Sequence, residues 1–184
     1  MRVFVLSTGR CGSVTFAKAA SHLRNYTAAH ESRRRLAGPD RIRYPDQHVE
    51  SDNRLSWMLG HLDAEYGDEA FYVHLTRDRD AVARSYLRRW TYEYRGGIIE
   101  AFAHGILQNP SDWPEDERMD VCRYYVDTVN RNIESFMSGR PRVARVRLET
   151  GAADFEAVWR AIDGEGDLAA ALREWDVAHN ASEG

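Results

Sequence analysis

The residues best suited to chemistry form a short stretch near the start of the chain, between an apolar run at residues 3–6 and a helical pattern. The apolar run is typical of a buried strand of a parallel sheet. Gly9 and Gly12 let the backbone turn tightly and approach a ligand. Backbone N–H groups at a helix start favour negative charge, and Arg10 and Ser13 add a cation and a hydroxyl donor. The stretch therefore predicts an anion-binding loop.

An ordinary nucleotide triphosphatase is disfavoured by the same stretch. The Walker pattern requires a lysine between glycine and hydroxyl, but Ser13 follows Gly12 directly, and the residue five positions before Gly12 is not a glycine. The simpler alternative is a strand-to-helix turn in which both glycines serve packing only.

A second stretch has the same layout and supplies another anion grip. Residues 71–76 predict a strand, after which Arg77 emerges, and a helix over about residues 80–94 follows with Asp80 as its cap. Ser85 lies on the second turn of that helix. Arg77 and Ser85 are therefore expected to hold one phosphate together.

The two stretches together resemble the sulfotransferases that use 3′-phosphoadenosine 5′-phosphosulfate. In that family a loop of the form [Lys/Arg]-x-Gly-[Thr/Ser] binds the 5′-phosphosulfate, which is similar to residues 10–13 here. In that family a later arginine and a serine eight residues after it bind the 3′-phosphate. Arg77 and Ser85 have the same spacing here. The resemblance covers roughly residues 2–90 and, more loosely, a strand near residues 143–148.

The resemblance implies a fold, a cofactor and a set of site residues. The β-α order and the family both predict a three-layer α/β/α domain over residues 1–184, similar to the P-loop NTPases, with a parallel sheet of four or five strands. The implied cofactor is 3′-phosphoadenosine 5′-phosphosulfate, the product is adenosine 3′,5′-bisphosphate, and the reaction is expected to need no metal. The cofactor-binding residues are then Gly9, Arg10, Cys11, Gly12, Ser13, Val14, Thr15, Arg77 and Ser85.

The chain departs from the family pattern at three points. Arg10 stands where many members have lysine, Val14 stands where many have a second hydroxyl, and the late Arg-Lys-Gly clamp of the cofactor is missing. Of the 25 basic residues only Lys18 is a lysine, so Arg10 also fits a bias of the whole chain towards arginine. A guanidinium nevertheless binds phosphate bidentately and keeps its charge.

A catalytic base is expected at the carboxyl end of the second strand, which residues 25–31 predict. His30 and Glu31 lie there. Members of the family use either a histidine or a glutamate, and carbohydrate sulfotransferases often use a glutamate shortly after the second strand. Glu31 is therefore the favoured base, His30 is the second choice, and Arg10 is expected to stabilise charge on the leaving phosphate.

Composition excludes several classes of protein. A net charge of −4 argues against general nucleic-acid binding. The longest apolar runs fall short of the ~20 residues that a membrane span needs. Two cysteines and the lack of a signal peptide predict a cytoplasmic protein without a disulfide. A nucleophilic Cys11 is disfavoured, since no arginine closes its loop as in the cysteine phosphatases.

The rest of the chain is predicted more coarsely. Residues 32–50 read as a loop or lid whose arginines form either a solvated surface or a rim for an anionic cofactor or acceptor. Helices are expected over residues 51–66, 98–107, 114–136, 152–162 and 167–178, and a last strand over residues 143–148. The aromatic residues Trp90, Tyr92, Tyr94 and Phe102 form either packing or a wall for the acceptor or adenine.

The acceptor is expected to be a hydroxyl or amine of a small molecule, a carbohydrate or a lipid. Two alternatives stay open: a kinase-like phosphotransferase that uses the same loop on a nucleoside triphosphate, and a non-catalytic binding protein on the same fold. Neither the acceptor nor the oligomeric state follows from the sequence.

Overall fold

The computed structural model describes residues 1–90, 97–108, 112–177 and 179. Within them, five strands form one parallel sheet: β1 (Arg2–Ser7), β2 (Thr27–His30), β3 (His48–Ser51), β4 (Phe71–Thr76) and β5 (Val143–Arg147). Their order across the sheet is β2-β3-β1-β4-β5. The central position of β1 places the loop that follows it in the middle of the carboxyl edge.

The helices are α1 (Ser13–Ala20), α2 (Leu59–Tyr66), α3 (Arg79–Leu87), α4 (Ile98–Glu100), α5 (Glu115–Met137), α6 (Gly151–Ala161) and α7 (Leu168–Arg173). Helix α4 continues as a π-helix over Ala101–Ile106, and the main 3₁₀ turns are Gly38–Arg41, Asn53–Trp57 and Glu174–Asp176. No helix in the described part of the chain has both the length and the apolar character to cross a membrane.

The helices cover both faces of the sheet, because successive residues of β1 point to opposite sides. Val3 and Val5 belong to a core shared with α1, α6 and α7, whereas Phe4 and Leu6 belong to a core shared with α2, α3 and α5. The predicted three-layer α/β/α architecture with a parallel sheet of four or five strands is therefore confirmed.

Strand β3 corrects the prediction for residues 32–66. A loop or lid was expected over residues 32–50 and a helix from residue 51, but residues 48–51 form a buried strand that pairs with both β1 and β2. The helix begins only at Leu59, after a 3₁₀ turn. The sequence of β3, His-Val-Glu-Ser, has a single apolar residue, so hydrophobic periodicity does not indicate a strand there. Its polar side chains are buried because they pair with one another and with neighbours.

Most other elements lie where the sequence predicts them, with β5 at a sheet edge. Helix α3, expected over about residues 80–94, ends at Leu87, and residues 88–90 form a turn; residues 91–94 lie outside the described residues. Asp80 is not the cap of α3: Asp78 accepts the capping bond from the Ala81 amide, and Asp80 instead pairs with Arg123. The predicted helix over residues 167–178 ends at residue 173 and is followed by a 3₁₀ turn. Tyr92 and Tyr94 lie outside the described residues.

Candidate functional site

The loop between β1 and α1 has a backbone that requires its glycines. Gly9 has a φ of +80° and Gly12 a φ of +92°, and Arg10 between them is also left-handed at +62°. A Cβ on Gly9 would lie 2.6 Å from the hydroxyl of Tyr86, and one on Gly12 would lie 2.6 Å from Leu148 Cδ1. The two glycines thus serve both the turn and close packing against helix α3 and the end of β5.

Buried hydrogen bonds hold this loop in place. The hydroxyls of Tyr86 and Tyr125 both donate to the Thr8 carbonyl, at 2.6 and 2.7 Å. The Gly9 amide donates to Ser7 Oγ at 3.1 Å. Burial raises the pKa of both tyrosines, so they remain protonated donors. The loop is therefore fixed before any ligand arrives.

Cys11 is a packing residue whose thiol faces the interior. Its side chain is fully buried, and Sγ donates to the Gly9 carbonyl at 3.4 Å. Burial raises the pKa of the thiol, which is the opposite of what a nucleophile needs. Only the backbone of Cys11 remains available for the predicted role in cofactor binding.

Arg10 connects the two predicted anion-binding sites. Arg10 Nε donates to Ser85 Oγ at 3.1 Å, and Arg77 Nη1 donates to the Arg10 carbonyl at 3.4 Å. Burial first, and then the neighbouring charges of Arg89 and Arg77, lower the pKa of the Arg10 guanidinium. Three arginines are therefore concentrated at the carboxyl edge of the sheet, in a setting that favours an anionic ligand.

Two cavities adjoin at this point. The first, here called the Arg77 cavity, has a volume of about 440 Å³. The second, here called the Glu31 cavity, has a volume of about 310 Å³. Both are lined by Arg10, Ser13 and Val14. The Arg77 cavity adds the predicted residues Gly12, Thr15, Arg77 and Ser85, and the Glu31 cavity adds the predicted residues Gly9, His30 and Glu31.

The two candidate bases have different contacts within the Glu31 cavity. His30 ends β2, and its Nε2 lies 3.1 Å from Ser13 Oγ. Glu31 follows it, and its Oε2 lies 2.9 Å from Arg54 Nη1 and 3.5 Å from Arg34 Nη1. Among the described residues, no hydrogen bond is made to Glu31 Oε1. His30 therefore contacts the loop, whereas Glu31 is held from the other side by two arginines.

Strand β3 fixes the backbone that carries these two residues. Glu31 has a left-handed φ of +49°, and its amide donates to the Ser51 carbonyl at 3.1 Å. The amide and hydroxyl of Ser32 donate to the buried carboxylate of Glu50 at 2.8 and 2.6 Å. Ser51 Oγ also donates to the Ser13 carbonyl at 3.0 Å. The carboxyl end of β3 thus ties the turn after β2 to the start of α1.

Several lining residues were not among those predicted from the sequence. Asn53, Arg54, Tyr86, Arg89 and residues 97–100 line the Glu31 cavity, and Arg88, Leu148, residues 175–177 and His179 line the Arg77 cavity. Arg54 was missed because residues 51–66 were expected to form one α-helix, whereas residues 53–57 form a 3₁₀ turn. Trp175 has the helical spacing of a core residue, and it does pack on Phe16 and Phe155.

No three or more His, Cys, Asp or Glu side chains are grouped as a metal site would need, within the ranges that the structure describes. No protein-family model, no curated protein and no solved structure matches the chain.

Proposed function

We propose that the chain is a sulfotransferase that moves a sulfuryl group from 3′-phosphoadenosine 5′-phosphosulfate to a hydroxyl or amine of a small-molecule, carbohydrate or lipid acceptor. The observation that carries the proposal is the contact between Arg10 and Ser85, whose Nε and Oγ are 3.1 Å apart. It joins the two stretches that resemble the sulfotransferase motifs, at the edge where ligands of open α/β sheets bind.

In this proposal the donor occupies the Arg77 cavity. Its 3′-phosphate binds Arg77 and Ser85, and its 5′-phosphosulfate faces the loop amides, Arg10 and Ser13. Burial and the neighbouring arginines lower the pKa of Arg10, and a donor with several negative charges relieves that repulsion. Charge-assisted hydrogen bonds to phosphate are stronger than neutral ones.

The reaction takes place where the two cavities adjoin. The acceptor oxygen or nitrogen attacks the sulfur in line, the bond from sulfur to the 5′-phosphate oxygen breaks, and adenosine 3′,5′-bisphosphate leaves with the electron pair. Arg10 and Ser13 line both cavities, so they lie beside the oxygen on which negative charge builds. Donors positioned in this way supply most of the catalysis in such group transfers.

The acceptor's proton passes to a base in the Glu31 cavity. Glu31 is the first candidate because it lines this cavity and makes no hydrogen bond through Oε1 among the described residues, and His30 is the second because it contacts Ser13. A positioned base contributes about 10²–10⁴ in rate.

The proposal is tested by titrating the protein with adenosine 3′,5′-bisphosphate and, separately, with ATP, and by following labelled 3′-phosphoadenosine 5′-phosphosulfate with a panel of hydroxyl and amine acceptors. We expect tight binding of the bisphosphate and transfer of the label. Binding without transfer to any acceptor would favour a non-catalytic binding protein. Preference for ATP would favour a kinase-like phosphotransferase.

A further inference from the structure

The six arginines of residues 32–54, beside the Glu31 cavity, divide into two groups. Three of them have structural contacts away from it. Arg33 donates to the Asp40 carbonyl at 2.8 Å, Arg43 pairs with the Asp40 carboxylate at 3.4 Å, and the buried Arg41 pairs with Asp52. These three arginines therefore stabilise the segment between β2 and β3.

The other three arginines, Arg34, Arg35 and Arg54, lie on the cleft. Arg54 and Arg34 converge on the same oxygen of Glu31, at 2.9 and 3.5 Å. Arg34 and Arg35 line a third, open cavity of about 400 Å³, which shares His30 and Glu31 with the Glu31 cavity. The Glu31 cavity thus opens onto a surface formed by Arg34, Arg35 and Leu36, here called the arginine shelf.

The charge of this region is opposite in sign to that of the whole chain. Among the described residues, five arginines line the Glu31 cavity and the arginine shelf, against two glutamates, Glu31 and Glu100, whereas the chain carries a net charge of −4. The side chains of Arg34 and Arg54 are 55% and 40% exposed, so a ligand can reach them. Ion pairs whose guanidinium is this exposed are weak, and a better anion can replace them.

We propose that the acceptor of the reaction carries an anionic group, a carboxylate, sulfate or phosphate, which Arg34, Arg35 and Arg54 bind while the reacting hydroxyl or amine lies in the Glu31 cavity. The inference rests on the proposed function and names its substrate class. Guanidinium groups bind such anions bidentately. When the anionic group takes Arg34 and Arg54 as partners, both oxygens of Glu31 become available for the acceptor's proton, so a charged acceptor is also a faster one.

The test uses pairs of acceptors in which a neutral hydroxymethyl group is replaced by a carboxylate, such as methyl glucoside with methyl glucuronide and 4-hydroxybenzyl alcohol with 4-hydroxybenzoate. Binding of each is measured to the protein saturated with adenosine 3′,5′-bisphosphate, and transfer is measured with labelled donor. We expect the charged member of at least one pair to bind about tenfold more tightly at low salt, and the preference to shrink at high salt.

The variants are Arg34→Gln with Arg35→Gln, Arg54→Gln, and, as a control that removes one charge in the same segment, Arg43→Gln. The first two should abolish the preference, and Arg43→Gln should keep it. Equal binding of both members of every pair, or an equal loss in Arg43→Gln, overturns the inference while binding of the bisphosphate leaves the proposed function standing. If the bisphosphate itself does not bind, the proposed function and the inference both fail.

Discussion

The two cavities that adjoin at Arg10 are built in different ways. The Arg77 cavity rests on a backbone loop whose carbonyl at Thr8 is held by two buried tyrosine hydroxyls, those of Tyr86 and Tyr125. The Glu31 cavity shares this loop through Gly9, but its acidic side chain is held by ion pairs, of which Arg54 is 40% exposed. The loop is fixed by buried hydrogen bonds, whereas the Glu31 carboxylate is held by contacts that solvent screens.

This difference fits a division of labour in which one ligand is constant and the other varies. A preformed backbone site loses little entropy on binding and suits a single, highly charged cofactor. Exchangeable ion pairs suit a ligand that brings its own anion. Changes on the Arg77 side should therefore act mainly on cofactor affinity, and changes on the Glu31 side mainly on turnover.

Arg10 belongs to both cavities, so its removal should have the largest effect. Arg10→Ala is expected to lower kcat and kcat/KM together by about 10³, because the lost contact acts on charge that develops in the transition state. Arg10→Lys should recover part of the loss, since it keeps the charge but not the fork geometry. Steady-state kinetics with labelled donor measure both. A raised KM with unchanged kcat would assign Arg10 to binding alone.

Glu31 tests the Glu31 side by itself. Glu31→Gln keeps the shape and hydrogen bonding but cannot take a proton, so turnover should fall by about 10² or more while affinity for adenosine 3′,5′-bisphosphate stays nearly unchanged. His30→Asn is the matched control and should be milder. If His30→Asn abolishes turnover and Glu31→Gln does not, the two roles are reversed. If neither variant matters, the base lies elsewhere.

The same contrast explains what the sequence could predict. The Arg77 side follows from local patterns, because a strand, two glycines and a helix start define the loop, and Arg77 leaves the next strand at the same edge. Parallel strands bring their carboxyl ends together, so the approach of Arg77 to the Arg10 loop was predictable in outline. The positive φ of Arg10 and the buried orientation of Cys11 were not.

The Glu31 side depends on a strand that periodicity cannot detect. The polar residues of the strand at 48–51 are buried with distant partners, Glu50 with Ser32 and Ser51 with Ser13. The partners are 18 and 38 residues apart in the chain, too far for a local sequence pattern to relate them. With that strand read as a loop and a helix start, Arg54 had no reason to approach Glu31. Side chains that become buried only through distant pairing are the ones that a sequence pattern leaves out.

Arg77 tests the cofactor side. Arg77→Ala should weaken binding of adenosine 3′,5′-bisphosphate by about tenfold or more, because a charge-assisted hydrogen bond is worth about 1.5–3 kcal/mol. Binding of adenosine 5′-phosphate, which has no 3′-phosphate, should hardly change. Isothermal titration of both ligands measures the difference. Equal weakening of the two would remove Arg77 from the 3′-phosphate, and Ser85→Ala should show the same selectivity with a smaller loss.

Glu50 offers the finest test, because it lies behind the Glu31 cavity and does not line it. Its buried carboxylate accepts hydrogen bonds from Ser32, and its Oε2 lies 3.0 Å from His48 Nε2. Glu50→Gln turns one acceptor oxygen into a donor that faces these donors, so the turn carrying Glu31 should shift. A misplacement of about 1 Å can slow catalysis by about 10²-fold, and a smaller shift of this turn is expected to lower turnover a few-fold. Affinity for the bisphosphate should stay unchanged.

The pH dependence of stability separates this local role from a general loss of stability. Burial by itself raises the pKa of Glu50, but hydrogen bonds from His48 and Ser32 outweigh it and lower the pKa. A lowered pKa stabilises the fold above the ordinary value of 4.5, and this contribution is lost as the pH falls below it. Glu50→Gln should therefore show a smaller drop in Tm on acidification than the parent chain.

Glu134→Gln is the matched control, because it breaks a carboxylate network with His74 and Arg145 away from both cavities. Glu134→Gln should lower Tm and the acid sensitivity of Tm in the same way but leave turnover intact. If it slows turnover as much as Glu50→Gln does, the carboxyl end of β3 does not position the base.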